Sequence, residues 1–412
     1  MDERSNIMVT FVNRYTETML IDNAFNALQN YENNDSILRT PIIDFFGIDG
    51  IGKTAILIYI REKCQKQKIS CITADASLNA YHFSAEIVRQ VAKLSKNKYQ
   101  PLEKNEDPFQ RSLDAAKSLL SQGIMVLVLD NVDATNKEML QYITAILRAI
   151  IDDRKLLVIL AGKKDILFDS ERSISRKLTS LQVKALDRKS CEQYLDIVIP
   201  SLETETRRYV LNWTRGYPLA MEVMTKAIVE RKLDPAQPEN QKVLVDLIVK
   251  RVIDEKVFAD LTPALQSRYK EALMLLSIPR QFNLLIMQKL IKQFASDELK
   301  RGSNLASMKL PGSIKNDTGV LSWNFFKGGY VIDTPVRNIF LLKVRIEETE
   351  RYALLHQFLA DQNKIFAEEV TEVDRVQYLC EYLYHSAHVK NEQEFIQILQ
   401  QVQQELWQFQ QQ

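Results

Sequence analysis

Cysteine is scarce in this sequence. Among 412 residues there are only Cys64, Cys71, Cys191 and Cys380. They are too scattered for a disulfide framework, and no CxxC pair offers a zinc site. This excludes a small secreted disulfide scaffold and fits a reducing cytoplasm. An excess of charge of one sign is also missing. Lys+Arg is 54 against Asp+Glu 53, for a net charge of +1, so no global positive field draws the chain to nucleic acid or to an anionic membrane. Apolar runs such as Ile124–Leu129 (IMVLVL) fall far short of the roughly 20 residues needed to cross a bilayer. The start, MDERSN, shows no basic stretch followed by an apolar one, so no signal peptide is expected. No internal repeat stands out. What remains is 46% hydrophobic and 26% charged, an ordinary globular composition that can fill several cores. The length suggests two to four domains.

Periodicity divides the chain. Residues 1–40 read as a polar, helical entry segment. Ile42–Phe46 is an apolar strand that runs into a glycine turn and a helix from about Lys53 to Lys66, with the next strand at Ser70–Ala74. Residues 83–122 read as helices. Ile124–Leu129 and Leu156–Ala161 are uniformly apolar, the pattern of strands buried on both faces of a parallel sheet. A helix from about Asn136 to Asp152 separates them. Strands alternating with helices predict an α/β, doubly wound parallel sheet over 41–186. Beyond 186 the strand signal fades. Residues 187–240 read as a helical lid broken at Gly216-Tyr217-Pro218, with DPAQPEN (234–240) as a linker. Residues 241–345 read as helices followed by a hairpin, Val320–Phe326 and Tyr330–Asp333, in winged-helix order. Residues 346–412 are helical and end in a glutamine-rich tail expected to fray.

Gly47-Ile48-Asp49-Gly50-Ile51-Gly52-Lys53-Thr54 fits GxxxxGK[ST], directly after a strand and opening a helix. Glycines let successive backbone N–H groups turn inward as an anion nest, and the helix N-terminus adds its dipole. Lys53 reaches the β- and γ-phosphates, and the Thr54 hydroxyl ligates Mg²⁺. Ala55 follows on the same first turn. Asp130, at the end of an apolar strand, is the expected second Mg²⁺ group. Hydrolysis needs a group that polarises the attacking water. Asn131 cannot accept a proton, whereas Asp133 can act as that acid or cap the following helix. Lys53, Asp130 and Asp133 are therefore the candidate catalytic residues. His385 and His388 lie three apart on a helix without a third ligand near in sequence, and read as a packing or solvated pair. Arg301, Lys309, Lys315 and Lys327 read as a solvated face rather than a DNA-binding wing.

Taken in order, these motifs resemble a STAND NTPase, the class of NB-ARC, NACHT and other NLR-related signalling ATPases. The resemblance runs over about 10–390. FVNR (11–14) resembles the entry motif, GIDGIGKT the Walker A, VLVLDNVD (126–133) the Walker B, LLVILAGKKD (156–165) the sensor strand, and WTRGYPLAMEV (213–223) the GxP motif. It implies ATP or ADP with Mg²⁺, bound by Arg14, Gly47, Gly50, Ile51, Gly52, Lys53, Thr54, Ala55 and Pro218. Arg14 then approaches ribose or adenine, and Pro218 packs near the base. It implies a slow ATPase used as a switch: ADP holds the resting form, and exchange for ATP opens a form that self-associates. The trigger ligand and the effector stay unknown, antiviral defence is a common output, and no membrane or nucleic-acid partner is implied.

The chain departs from the pattern at Asn131, where many NB-ARC proteins carry a second acid. Lys163 and Lys164 stand where the sensor strand often ends in arginine. Asp333 stands where a histidine usually touches the ADP β-phosphate. The alternatives are an AAA+ or origin-recognition-like ATPase associated with DNA, a STAND transcription regulator, and a scaffold that holds nucleotide without hydrolysing it. ATP is not distinguished from GTP by any residue pattern.

Overall fold

The structure, a computed structural model, describes all residues except 1–11, 13, 33–37, 97–99, 101–105, 169–170, 301–303, 326–327, 371 and 411–412. The chain divides into two compact units, Met1–Pro200 and Ser201–Gln412.

The first unit is built on a parallel sheet of five strands: β1 (Ile42–Phe46), β2 (Ser70–Asp75), β3 (Met125–Asp130), β4 (Leu156–Gly162) and β5 (Leu178–Gln182). Their spatial order is β2-β3-β4-β1-β5. The helices are α1 (Tyr15–Gln29), α2 (Lys53–Gln67), α3 (Ala80–Leu94), α4 (Pro108–Gln122), α5 (Lys137–Ile150), the single turn α6 (Arg172–Ser175) and α7 (Arg188–Val198). The chemistry of their starts is local. Asn79, Asp107, Asn136 and Asp187 each cap a helix by accepting a backbone N–H, which satisfies one of the orphan donors of a first turn. Strands β3 and β4 are apolar along their length because both faces are covered. Their Leu127, Leu129, Val158 and Leu160 join Phe83, Ile87, Leu119, Ile143 and Leu147 in one core.

This is the P-loop NTPase fold. Pairing on both sides of β1, with β4 (Ile42↔Val158) and with β5 (Ile42↔Leu178), puts the loop after β1 between its neighbours' carboxyl ends. Open α/β sheets bind ligands in such a place. Strand β5 escapes the sequence pattern because LTSLQ is an edge strand with only intermediate and exposed side chains.

The second unit is helical: α8 (Thr204–Thr214), α9 (Pro218–Arg231), α10 (Pro238–Ile248), α11 (Pro263–Leu276), α12 (Leu284–Phe294), α13 (Asp297–Lys300), α14 (Asn304–Thr318), α15 (Thr334–Glu347), α16 (Thr349–Glu369), α17 (Glu372–Ser386) and α18 (Glu392–Gln410). A π-helical stretch, Val249–Val257, continues α10. Strands β6 (Leu321–Asn324) and β7 (Gly329–Ile332) form an antiparallel hairpin, and Tyr330 bridges to Phe282 just before α12.

Two expectations are corrected here. DPAQPEN is no free linker. Asp234 accepts from the Thr206 hydroxyl at 2.8 Å and from the Ala236 N–H at 3.0 Å, and α10 already starts at Pro238. Proline at N1 loses no helical hydrogen bond, so the sequence that reads as a breaker is a helix start. The glutamine-rich tail continues as helix to Gln410, because Val402 packs with Ala367 and Leu379. No helix among the described residues is long and apolar enough to cross a membrane.

Candidate nucleotide site

The loop Gly47–Gly52 leaves β1 and enters α2 at Lys53. Gly50 and Gly52 have positive φ, 77° and 104°, a conformation that costs a residue without a side chain little. At Gly52 space adds a second requirement, since a Cβ there would meet the Arg14 guanidinium at 2.8 Å. The Lys53 ammonium folds back into the loop. It donates to the carbonyls of Gly47 at 2.7 Å and Ile48 at 3.1 Å. Burial pulls its pKa down, while Asp49, Asp133 and Asp130 push it up. Ile51 is fully buried and anchors the loop, and Thr54 and Ala55 lie on the first turn of α2.

Asp130 closes β3. Burial raises its pKa, the Asn131 amide and Lys53 pull it down, and Asp75 and Asp133 push it up again. Thr54 and Asp130 line one cavity of about 320 Å³. A hydroxyl and a strained carboxylate, both hard oxygen donors on one cavity, suit Mg²⁺ that takes its remaining ligands from phosphate and water. A cation would also relieve the crowding of acids around Asp130. Among the described residues no group of three or more His, Cys, Asp or Glu is set to hold a metal by itself. The donor set thus fits a metal shared with a nucleotide.

Asp133 lies in a 3₁₀ turn, Val132–Ala134. It caps no helix, since Asn136 caps α5. Its carboxylate accepts the Lys163 N–H at 2.7 Å, tying the turn after β3 to the end of β4. The Lys163 ammonium reaches Asp49 of the loop at 3.0 Å. Lys163 therefore stands at the phosphate loop.

Arg14 is buried, and its guanidinium donates to the Ile51 carbonyl, to the Lys184 carbonyl at 2.9 Å and to Glu17 at 3.2 Å. It clamps the loop from the side and also lines a cavity of about 290 Å³ with Tyr15, Leu181, Lys184 and Ser190. The Phe11 and Asn13 of its motif lie outside the described residues. Pro218 belongs to the second unit as the first residue of α9, behind the fully buried Tyr217. Asp333, also in the second unit, precedes α15. Burial drives its pKa up to about 6, the Val336 N–H opposes this, and its Oδ1 finds no hydrogen-bond partner. Lys309 and Lys315 are exposed, while Arg301 and Lys327 lie outside the described residues.

Sequence reasoning passed over Asp75, Asp44 and His356. Asp75 at the end of β2 lines the cavity of Thr54 and Asp130. No motif marks it, and only strand register brings it there. Asp44, in the middle of β1, is fully buried, and burial raises its carboxyl to about 7. It accepts the Ile166 N–H at 3.1 Å and so holds the chain after β4. His356 and His385 are fully buried with their Nδ1 atoms 2.9 Å apart. The expected His385/His388 pair is in fact a trio, since the His356 ring lies 4.3 Å from that of His388.

With this geometry in view, the chain was compared with known proteins. Residues 39–168 match the AAA domain. That span runs from before β1 through the phosphate loop to the end of β4, and it makes this part of the chain a P-loop NTPase domain. No curated protein matched. Among solved structures the chain is similar to Cdc6p from Pyrobaculum aerophilum (15% identity, TM-score 0.44, 83% of this chain and 97% of that one). It is similar to the Aeropyrum pernix Orc1 protein solved in complex with DNA (16%, TM-score 0.43, 80% and 92%). It is also similar to a STAND protein with a tetratricopeptide repeat sensor from Pyrococcus horikoshii (13%, TM-score 0.38, 97% of this chain and 51% of that one).

Proposed function

We propose that the chain is an Mg²⁺-dependent ATP/ADP-binding ATPase of the AAA type, whose nucleotide state is read by its helical second unit. The carrying observation is the convergence of a glycine loop, the Lys53 ammonium, the Thr54 hydroxyl and the Asp130 carboxylate at one sheet edge. The backbone donors and Lys53 bind the phosphates, while Thr54 and Asp130 hold the metal. Bound Mg²⁺ supplies charge neutralisation at the phosphates. Asp133 and Lys163 link the metal side of the site to the loop.

Of the finer readings, we place first the AAA+, origin-recognition-like ATPase associated with DNA, which the AAA match over 39–168 fits. The signalling switch of the STAND class is the second reading, carried by Gly216-Tyr217-Pro218 at the start of α9. One experiment separates them: duplex DNA binding is titrated at rising salt in ATP and in ADP. Nucleotide-dependent binding with a steep negative salt slope supports the first reading. No binding to DNA, with ATP-driven self-association instead, supports the second. Neither response with ATP·Mg²⁺ bound would overturn both.

A further inference from the structure

We propose that Asp75 is the carboxylate that orients and polarises the hydrolytic water at this site, and that Asn131 and Ser77 hold it for that task. The proposal rests on the nucleotide reading above. It begins from a gap in the sequence, since the residue after the metal-binding Asp130 is an amide that cannot take a proton from water.

Other acids around the loop are tied to a cation or to another strand end. Asp133 accepts the Lys163 N–H at 2.7 Å. Asp49 pairs with Lys53 at 3.5 Å and with Lys163 at 3.0 Å. Glu86, on the same cavity as Thr54, takes both Arg89 contacts, at 2.7 and 2.8 Å, and the Gln90 amide at 2.6 Å.

Asp75 is placed differently. It is the register partner of Asp130, since Asp75↔Asp130 ends the β2–β3 ladder. The Ala76 N–H donates to the Asp130 carbonyl at 2.8 Å, which pins the two strand ends together. Both carboxylates line the cavity that Thr54 lines. Asp75 accepts the Ser77 N–H at 2.9 Å and the Ser77 hydroxyl at 2.6 Å. The Asn131 side chain is a further polar neighbour of it.

Asn131 now has a physical reason. Its φ of +56° is left-handed, a conformation asparagine tolerates better than most residues. From there its amide reaches Asp75 while its N–H donates to the Asp130 carboxylate at 2.9 Å. One residue steadies both acids.

In the step proposed, the water oxygen bonds to the γ-phosphorus as the bond from that phosphorus to the β–γ bridging oxygen breaks. The bridging oxygen keeps the electron pair and ADP departs. The proton of the water passes to Asp75 and then to solvent. In a loose transition state the water needs orientation more than a strong base, so a carboxylate fixed in place by Ser77 serves.

The test is steady-state hydrolysis and Mg²⁺·ATP affinity of the full chain and of Asp75→Asn, Asp75→Glu and Asn131→Gly. Thermal melts check folding. Asp75→Asn should lose about 10²-fold or more in kcat, with KM and nucleotide affinity within about threefold. Asp75→Glu should recover part of the loss. Asn131→Gly, which keeps the left-handed turn but removes the amide, should fall in between. Asp75→Asn within twofold of the parent would overturn the proposal, as would a parallel loss of affinity, which marks a metal-holding or structural role. A parent chain that binds ATP without turnover also overturns it and leaves the binding reading standing. A parent that binds no nucleotide overturns both.

Discussion

The two units treat their ionisable groups in opposite ways. In the first, Lys53, Asp49, Asp75, Asp130, Asp133 and Lys163 gather at the carboxyl edge of a sheet, and nearly every contact is a hydrogen bond or ion pair. In the second, His356 and His385 are buried inside a helix stack. Each Nε2 lacks a hydrogen-bond partner among the described residues. The groups that face them are Tyr352 on α16, Tyr384 and Glu381 on α17, His388 in the turn after α17, Arg337 on α15, and Arg280 after α11. Polar groups at a sheet edge can exchange partners with a ligand at small cost. Polar groups in a helical core can only remain neutral or destabilise it. The first arrangement is built for chemistry, and the second makes stability depend on pH.

The largest expected effect breaks the clamp on the loop. Arg14→Ala leaves the Ile51 and Lys184 carbonyls and the Glu17 carboxylate without their cation. Stability should fall by about 2–4 kcal/mol, and ATP affinity should fall with it, measured by denaturant unfolding and nucleotide titration. An exposed, unused Arg14 would give neither change.

Acid acts next, and on the second unit. Burial lowers the His356 pKa to about 3 and lowers those of His385 and His388. Between the ordinary histidine value near 6.5 and these lowered values the unfolded chain binds more protons than the folded one. Stability of the second unit should therefore drop as pH falls below about 6.5, by up to about 1.4 kcal/mol per pH unit for each histidine. The double variant His356→Leu/His385→Leu should flatten that slope in pH-dependent melts.

The first unit holds the opposite case in Asp44. Its folded carboxyl titrates at about 7, above its unfolded value of 3.8. The folded chain binds the extra proton, so this group costs stability as pH rises from about 4 through 7. Asp44→Asn should gain up to about 4 kcal/mol at pH 8, and progressively less as pH falls toward 4. A loss at both pH values would mean that the contact with Ile166 needs the charge.

How much of this was legible depended on the range of the physics. The loop and β1 were readable from the glycine pattern that follows a mostly apolar strand, and β3 and β4 from their apolar runs, all local signals. Lys53, Thr54 and Asp130 followed from them. Strand β5 was not readable, because LTSLQ is neither apolar nor alternating. Asp75 was invisible for a different reason: β2 and β3 meet through a long crossover, and only their register sets Asp75 beside Asp130. The start of α10 was misread because a proline that opens a helix looks the same as one that breaks it. The histidine trio needed the packing of α16 on α17 to bring His356 to its partners.

The most direct test of the central claim is the nucleotide carried by the purified chain. The protein is denatured, the released nucleotides are separated, and the Lys53→Ala variant is treated in parallel. The account predicts ADP or ATP near one per chain in the parent and almost none in the variant, restored in the parent alone by adding ATP·Mg²⁺. A parent that carries no nucleotide and binds none on addition, while folding normally, would contradict it.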